Sequence, residues 1–161
     1  MPAVCPGDTT FRFPVRVYYE DTDTAGVVYY ANYLKFFERA RTEWLRTLGF
    51  GQTEMAELDG KVFIVRRAST DYRLPARLDD ALVIHSQLSR LGRASLEFRQ
   101  WCQRDDDVLA SGHIQIGCVQ RATLRPAAMP GRIAQRLAAV VTPDAPGSQQ
   151  PFTPPSTPPL T

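Results

Sequence analysis

A change of hydrophobic period constrains this chain more than any other feature. From Ala31 onward, Leu34, Phe37, Trp44, Leu45 and Leu48 recur close to one face of a 3.6-residue repeat, while Lys35, Glu38, Arg39, Glu43 and Arg46 fall mainly elsewhere. The pattern predicts one amphipathic helix of about 18 residues, or about 27 Å at 1.5 Å per residue, stopped by Gly49. Downstream the period drops to two. Residues 63–74 read as a long strand, interrupted by Pro75 in a turn-like segment, and residues 81–90 read as the next, with Leu82, Ile84 and Leu88 on one face. Leu96, Phe98 and Cys102 alternate along a third strand up to a hairpin tip at Asp105-Asp106-Asp107. Val108, Ala110, Ile114, Ile116 and Cys118 alternate along a fourth. Upstream, residues 11–19 are β-rich, and Pro14 implies an edge position or a bulge there. A last short helix is expected over 130–140, with Ile133 and Leu137 facing inward. A helix with a bulky aromatic stripe needs a sheet to lie against, and short turns favour antiparallel pairing. The expected class is therefore α+β: one antiparallel sheet wrapped around one long central helix, with the outer face of the sheet free to meet a second subunit.

Length and charge narrow the remaining possibilities. The chain has 161 residues, 43% of them hydrophobic, which suggests one domain with one core. A net charge of +2 gives no electrostatic case for nucleic acid or for an acidic membrane surface. No stretch approaches the roughly 20 apolar residues of a membrane span, so stable membrane insertion is not expected. Cys5, Cys102 and Cys118 are few, odd in number and far apart, implying neither a disulfide framework nor a zinc site. The N-terminus lacks a charged start followed by an apolar run, so a reducing cytoplasm is the expected compartment. Residues 1–10 read as a flexible leader, 11–141 as the folded domain, and 142–161 as a Pro-rich disordered tail, for which a docking peptide is the functional alternative.

Residues 18–33, YYEDTDTAGVVYYANY, join the first strand to the long helix and hold Glu20, Asp21 and Asp23 within four positions. Turn chemistry is the plain explanation, since Asp and Thr bond nearby backbone amides. It does not account for the aromatic and β-branched run Val27-Val28-Tyr29-Tyr30 after Gly26. A calcium loop fails, because its fifth position is Ala25 and its twelfth is Asn32, where a bidentate Glu is needed. A magnesium site usually comes with a phosphate substrate, and no phosphate loop is present. No metal and no cofactor is expected. Acyl transfer remains. Cleaving a thioester needs an attacking group or a base for water, plus donors aimed at the developing oxyanion. It needs no strong acid, because a thiol of pKa roughly 8.5 already leaves tolerably. Asp23 supplies the carboxylate, and the helix starting near Tyr30 supplies backbone amides and a partial positive charge. There is no G-x-S-x-G elbow. His85 and His113 lie in separate strands and read as structural, and Cys102 and Cys118 read as small buried hydrophobes.

At this segment the sequence closely resembles the hotdog-fold acyl-CoA thioesterases, specifically the Tol-Pal-associated (YbgC-type) branch and its relative, 4-hydroxybenzoyl-CoA thioesterase. The resemblance rests on Tyr19-Glu20-Asp21-Thr22-Asp23, Gly26-Val27-Val28-Tyr29, Ala31-Asn32-Tyr33-Leu34 and Glu38-Arg39-Ala40-Arg41-Thr42-Glu43. It continues through Val65-Arg66-Arg67, Tyr72, Pro75-Ala76-Arg77-Leu78-Asp79-Asp80 and Arg93-Ala94-Ser95. It implies a hotdog fold, a homodimer or homotetramer, and acyl-CoA as substrate. It places the family's catalytic Asp on Asp23 and a carbonyl-polarising backbone N–H on Tyr30. The YbgC-type branch usually carries His where Tyr30 stands, whereas the hydroxybenzoyl enzyme carries Tyr, so a backbone-amide role survives. Arg93 and Ser95 fall in the turn that contacts CoA in relatives, with Arg66 and Arg67 as further candidates for its phosphates. A non-catalytic acyl-CoA binding or scaffold protein is the rival reading.

Overall fold

The computed structural model of the chain describes residues 9–142. Residues 1–8 of the expected leader and 143–161 of the expected tail lie outside the described residues. Strand β1 spans Phe11–Arg16, helix α1 Asn32–Thr47, helix α2 Gln52–Asp59, and strands β2 to β5 Lys61–Tyr72, Ala81–Leu91, Ser95–Arg104 and Asp107–Gln120. Helix α3 spans Gly131–Ala138. The five strands form one antiparallel sheet in the order β1-β3-β4-β5-β2, so β1 and β2 are its edges. Pro14 lies opposite Val83 in the edge strand β1, where its missing N–H is tolerated.

Alternation builds the core. Leu82, Ile84 and Leu88 of β3, Leu96, Phe98 and Cys102 of β4, and Ala110, Ile114, Ile116 and Cys118 of β5 are all buried toward α1. The helix answers with Tyr33, Phe36, Phe37, Ala40, Trp44 and Leu45. Gly112 lets Phe37 lie flat on β5: a Cβ there would stand 3.0 Å from the Phe37 ring. Ile133 and Leu137 of α3 close one end of the core.

Three local expectations need correction. Helix α1 is 16 residues, because the chain at Tyr29–Ala31 is still turning into it and Gly49, at φ +97°, ends it. Leu34, assigned to the apolar face, is 39% exposed, since that face is centred on Phe37 and Leu34 sits on its flank. Helix α2 was not anticipated; Met55 is its one buried side chain, and a single anchor leaves no period to read.

Candidate active site

The segment before α1 is a small hairpin fastened to the body of the sheet. After a 3₁₀ turn at Tyr19–Asp21, Thr22 pairs with Val28, Asp23 N–H donates to Val27 O (2.9 Å), and Tyr29 N–H donates to Asp21 O (3.0 Å). Gly26 closes the loop at φ +78°, which a residue with a Cβ rarely adopts. Val28 N–H donates to Ala76 O (2.8 Å) and Val27 pairs with Arg77, so the turn before β3 holds the hairpin in place. That turn is itself pinned. Asp80 accepts from Arg77 N–H (2.8 Å) and from Arg104 Nη1 (2.7 Å). Burial opposes ionisation of Asp80, but these donors hold its carboxyl below the usual range.

The three carboxylates have different surroundings. Asp21 Oδ2 accepts from Tyr18 N–H (2.8 Å), and Asp21 O accepts from the side chain of Asn32 (2.8 Å), tying the loop to the first residue of α1. Glu20 is exposed. Asp23 is exposed too: its Oδ1 accepts from Ala25 N–H (2.9 Å), while Oδ2 has no partner among the described residues. Turn chemistry thus engages one oxygen of Asp23 and leaves the other open to solvent.

At the helix start, Asn32 N–H donates to Tyr29 O (2.8 Å) and Leu34 N–H to Ala31 O (3.2 Å). The N–H groups of Tyr30 and Ala31 have no acceptor among the described residues. They stand just ahead of α1, Ala31 as its N-cap and Tyr30 one residue earlier, at the end where the helix's partial positive charge is concentrated. Around them stands an aromatic wall. Tyr30 has its ring 4.8 Å from that of Tyr29 and 6.0 Å from that of Tyr72, and Tyr72 lies 5.6 Å from Tyr33. The hydrogen bond to Tyr30 and that ring's charge raise the Tyr29 phenol, and burial raises Tyr33 and Tyr72. All three stay protonated at neutral pH and add no anion around Tyr30.

The arginine candidates gather elsewhere. The Arg66 side chain crosses Gly117, where a Cβ would stand 2.8 Å from its Cδ, and Gly117 lies directly opposite Ser95. Arg93 sits in the adjoining β3–β4 turn, its carbonyl accepting from Met129 N–H (3.0 Å). Arg67, opposite Gln115, faces the same outer side of the sheet. Arg66 is separated from Tyr72 by about 20 Å of strand at about 3.3 Å per residue. Within one chain, therefore, Arg66 and Arg67 lie at the middle of β2, well away from its Tyr72 end. His85 stacks on Trp101 at 5.0 Å and His113 Nε2 stands 3.4 Å from Glu97 Oε2, so both are engaged on the sheet. Cys102 and Cys118 are free and buried, and burial pushes the Cys102 thiol up to about 12, which removes it as a nucleophile.

One feature escaped the sequence reading. Between α1 and the β2 side of the sheet lies a cavity of about 300 Å³, lined by Leu34, Phe63, Val65, Phe98, Ile114 and other apolar side chains. Arg41 lines it as well and is only 7% exposed. Its Nη1 donates to Gln100 Oε1 (2.8 Å), and Gln100 Nε2 donates to Phe37 O (2.9 Å) and Ser86 Oγ (2.9 Å). Burial lowers the Arg41 guanidinium to about 10, with Glu38 opposing, so it remains charged at neutral pH. The available signal was its position, four residues after Phe37 and three before Trp44, which puts a cation on the apolar face.

Known proteins match this arrangement. The family model described as the thioesterase-like superfamily matches residues 17–137. The acyl-CoA thioesterase YbgC of Haemophilus influenzae is 44% identical over 126 residues, which is 78% of this chain and 93% of that protein. The acyl-CoA thioester hydrolase YbgC of Escherichia coli is 42% identical over the same shares of both chains. Among solved structures, a 1,4-dihydroxy-2-naphthoyl-CoA thioesterase from Synechocystis superposes with a TM-score of 0.75 at 21% identity, covering 80% of this chain and 96% of that one. That likeness carries the fold, which is the hotdog arrangement. The chain belongs to the thioesterase-like superfamily, as a relative of the YbgC acyl-CoA thioesterases.

Proposed function

We propose that this protein hydrolyses acyl-CoA thioesters to the free carboxylic acid and CoA, with Asp23 as its working carboxylate. The observation that carries the reading is the pairing, in a thioesterase-like chain, of a carboxylate oxygen left open with unpartnered N–H groups at Tyr30 and Ala31, the two residues that lead into α1. A thioester carbonyl oxygen set against the Tyr30 N–H gains its strongest hydrogen bond as it becomes negative, which lowers the barrier selectively. Asp23 either attacks the carbonyl carbon, giving a mixed anhydride that water then opens, or removes a proton from the attacking water. In both cases one water is consumed, the C–S bond breaks, and the thiolate leaves and takes up a proton. Repeated turnover in ¹⁸O-water tests the first route, because label enters the Asp23 carboxylate only through an anhydride opened at the aspartyl carbon, whereas water activated by Asp23 labels the product acid alone.

CoA recognition falls to Arg93, Ser95, Arg66 and Arg67, with the arginines meeting phosphates. Their distance from Asp23 along β2 supports a homodimer. β2 ends the sheet, so one side of its backbone is unpaired, and Val65 on it is 53% exposed. Antiparallel pairing of two β2 strands about a two-fold axis near Ser69 sets Tyr72 of one beside Arg66 of the other. Each site then draws Asp23 and Tyr30 from one subunit and its arginines from the partner; two dimers pair into a tetramer. Free cysteines and an acyl-CoA substrate suit the cytoplasm, and among the described residues no helix is long and apolar enough to cross a membrane.

The deciding experiment is thiol release from a panel of acyl-CoAs by wild type and Asp23→Asn. Removing a general base or nucleophile should cost about 10²- to 10⁴-fold in turnover. Near-normal turnover by the variant ends the assignment, and tight binding without turnover by wild type supports the scaffold reading instead.

A further inference from the structure

We infer that the cavity beneath α1 is the acyl subsite and that Arg41 makes it selective for acyl chains whose far end carries a second carboxylate. The inference rests on the thioesterase reading above and extends it to the substrate class.

Position makes the cavity an acyl subsite. Its lining begins at Leu34, one turn beyond Tyr30, and at Ala68, four residues before Tyr72 on β2. Tyr30 and Tyr72 are themselves in ring contact, so this end of the lining lies one turn of helix and four strand residues from the aromatic wall. A thioester held there points its acyl chain down the flank of α1. From Leu34 to Arg41 the helix advances about 10 Å, and long helical side chains lean back toward the N-terminus, which brings the guanidinium nearer the mouth. A volume of about 300 Å³ lies at the small end of ligand pockets and suits a short to medium chain.

Arg41 sets the chemistry at the far end. A pocket for a plain alkyl chain has no use for a charge. This one carries a guanidinium with a single hydrogen bond, Nη1 to Gln100. Its Nε and Nη2 have no partner among the described residues. Arg41 itself lines the void. Glu38 is the only acid in the lining and forms no ion pair with Arg41, while Lys35 adds a second cation on the same wall. Two cations against one carboxylate leave the subsite short of an anion. A carboxylate at the tail of the acyl group answers the two open donors in the fork geometry that guanidinium favours.

The test compares matched pairs on the full-length wild-type chain: hexanoyl-CoA against hexanedioyl-CoA, and decanoyl-CoA against decanedioyl-CoA. The expected result is a kcat/KM at least about tenfold higher for the diacid of one pair, as one desolvated charge-assisted contact supplies. Arg41→Met should invert that ratio, and Arg41→Lys should retain part of it. The wild-type ratio decides even where a variant folds poorly, and the double variant Arg41→Met/Gln100→Leu offers an apolar replacement of similar shape. Plain chains hydrolysed as well as or better than both diacids would overturn this inference and leave the thioesterase intact. Failure of wild type to hydrolyse any of the four would overturn both.

Discussion

Gln100 is fully buried and holds together three groups that would otherwise be stranded in an apolar core: the Arg41 guanidinium, the Phe37 carbonyl and the Ser86 hydroxyl. Replacing it with Leu keeps the volume and removes every one of these bonds. The neutral bonds contribute about 1 kcal/mol each, and a hydrogen bond to a charged group about 1.5–3 kcal/mol. The charged partner that remains adds a desolvation penalty of its own, partly offset by the new apolar contact. The expected loss for Gln100→Leu is about 4 kcal/mol. At roughly 3 °C per kcal/mol for a domain of this size, that is about 12 °C in Tm. The assay is urea unfolding with linear extrapolation, at one fixed protein concentration because subunit association shifts apparent stability. Arg41→Met in the Gln100→Leu background should restore about 2 kcal/mol, since replacing both partners by apolar groups is far less costly than orphaning one. A loss under about 1 kcal/mol for the single variant, or a double variant no more stable than the single, would show that the buried network is not what holds Arg41 in place.

Other expectations follow from the same geometry. Tyr30→Phe should leave turnover within about threefold, whereas Tyr30→Pro, which deletes the N–H, should lower kcat by about 10²- to 10³-fold at unchanged far-ultraviolet dichroism; equal losses would place the role in the side chain. Gly117→Ala forces the Arg66 Cδ, 2.8 Å from the new methyl, out of position. It should raise KM for acyl-CoA about threefold, the scale of one exposed ion pair, and leave KM for N-acetylcysteamine thioesters alone. Asp80 has a lowered carboxyl pKa when folded. Its stabilisation is therefore complete above the ordinary carboxylate range and disappears as pH falls through the lowered value. Asp80→Asn should cost about 1 kcal/mol near neutrality, and the gap to wild type should close in acid; a gap unchanged at low pH would refute the assignment.

Strands β1, β3 and β4 were readable because their burial alternates against one face, and Pro14 even reported that β1 is an edge; β2 has no fully buried position and β5 is buried along most of both faces. Helix α2 was not readable, because Met55 alone faces inward and one residue has no period. Leu34 was misplaced for a related reason: five apolar side chains on a helix define a stripe but not its centre, and the sheet decides which flank is left open. The carboxylate and the helix start were legible as neighbours in the sequence, since only six residues separate Asp23 from Tyr30. The distance from Asp23 to the arginine group was not. It depends on β2 lying beside β5 at the edge of the sheet, with β3 and β4 further in, an order that no local pattern encodes.

On the proposed function, α1 performs two tasks that place opposite demands on it. The residues leading into its first turn must present bare N–H groups to a carbonyl within a few tenths of an ångström, whereas its middle borders an open cavity and so lacks packing along one flank. Apolar side chains alone tolerate sliding and repacking at little cost, losing uniqueness before stability. Directional bonds do not. Gln100 grips the Phe37 carbonyl, which belongs to the helix backbone itself, and also holds Arg41 one turn further on. Those two points fix both the rotation of α1 and its axial position against β3 and β4. At the other end, Asn32 reaches back to Asp21 O, so the hairpin that carries Asp23 moves only as the helix moves. Core network, helix start and carboxylate therefore form one mechanical unit. A substitution at Gln100, in the body of the sheet, should consequently disturb turnover as well as stability.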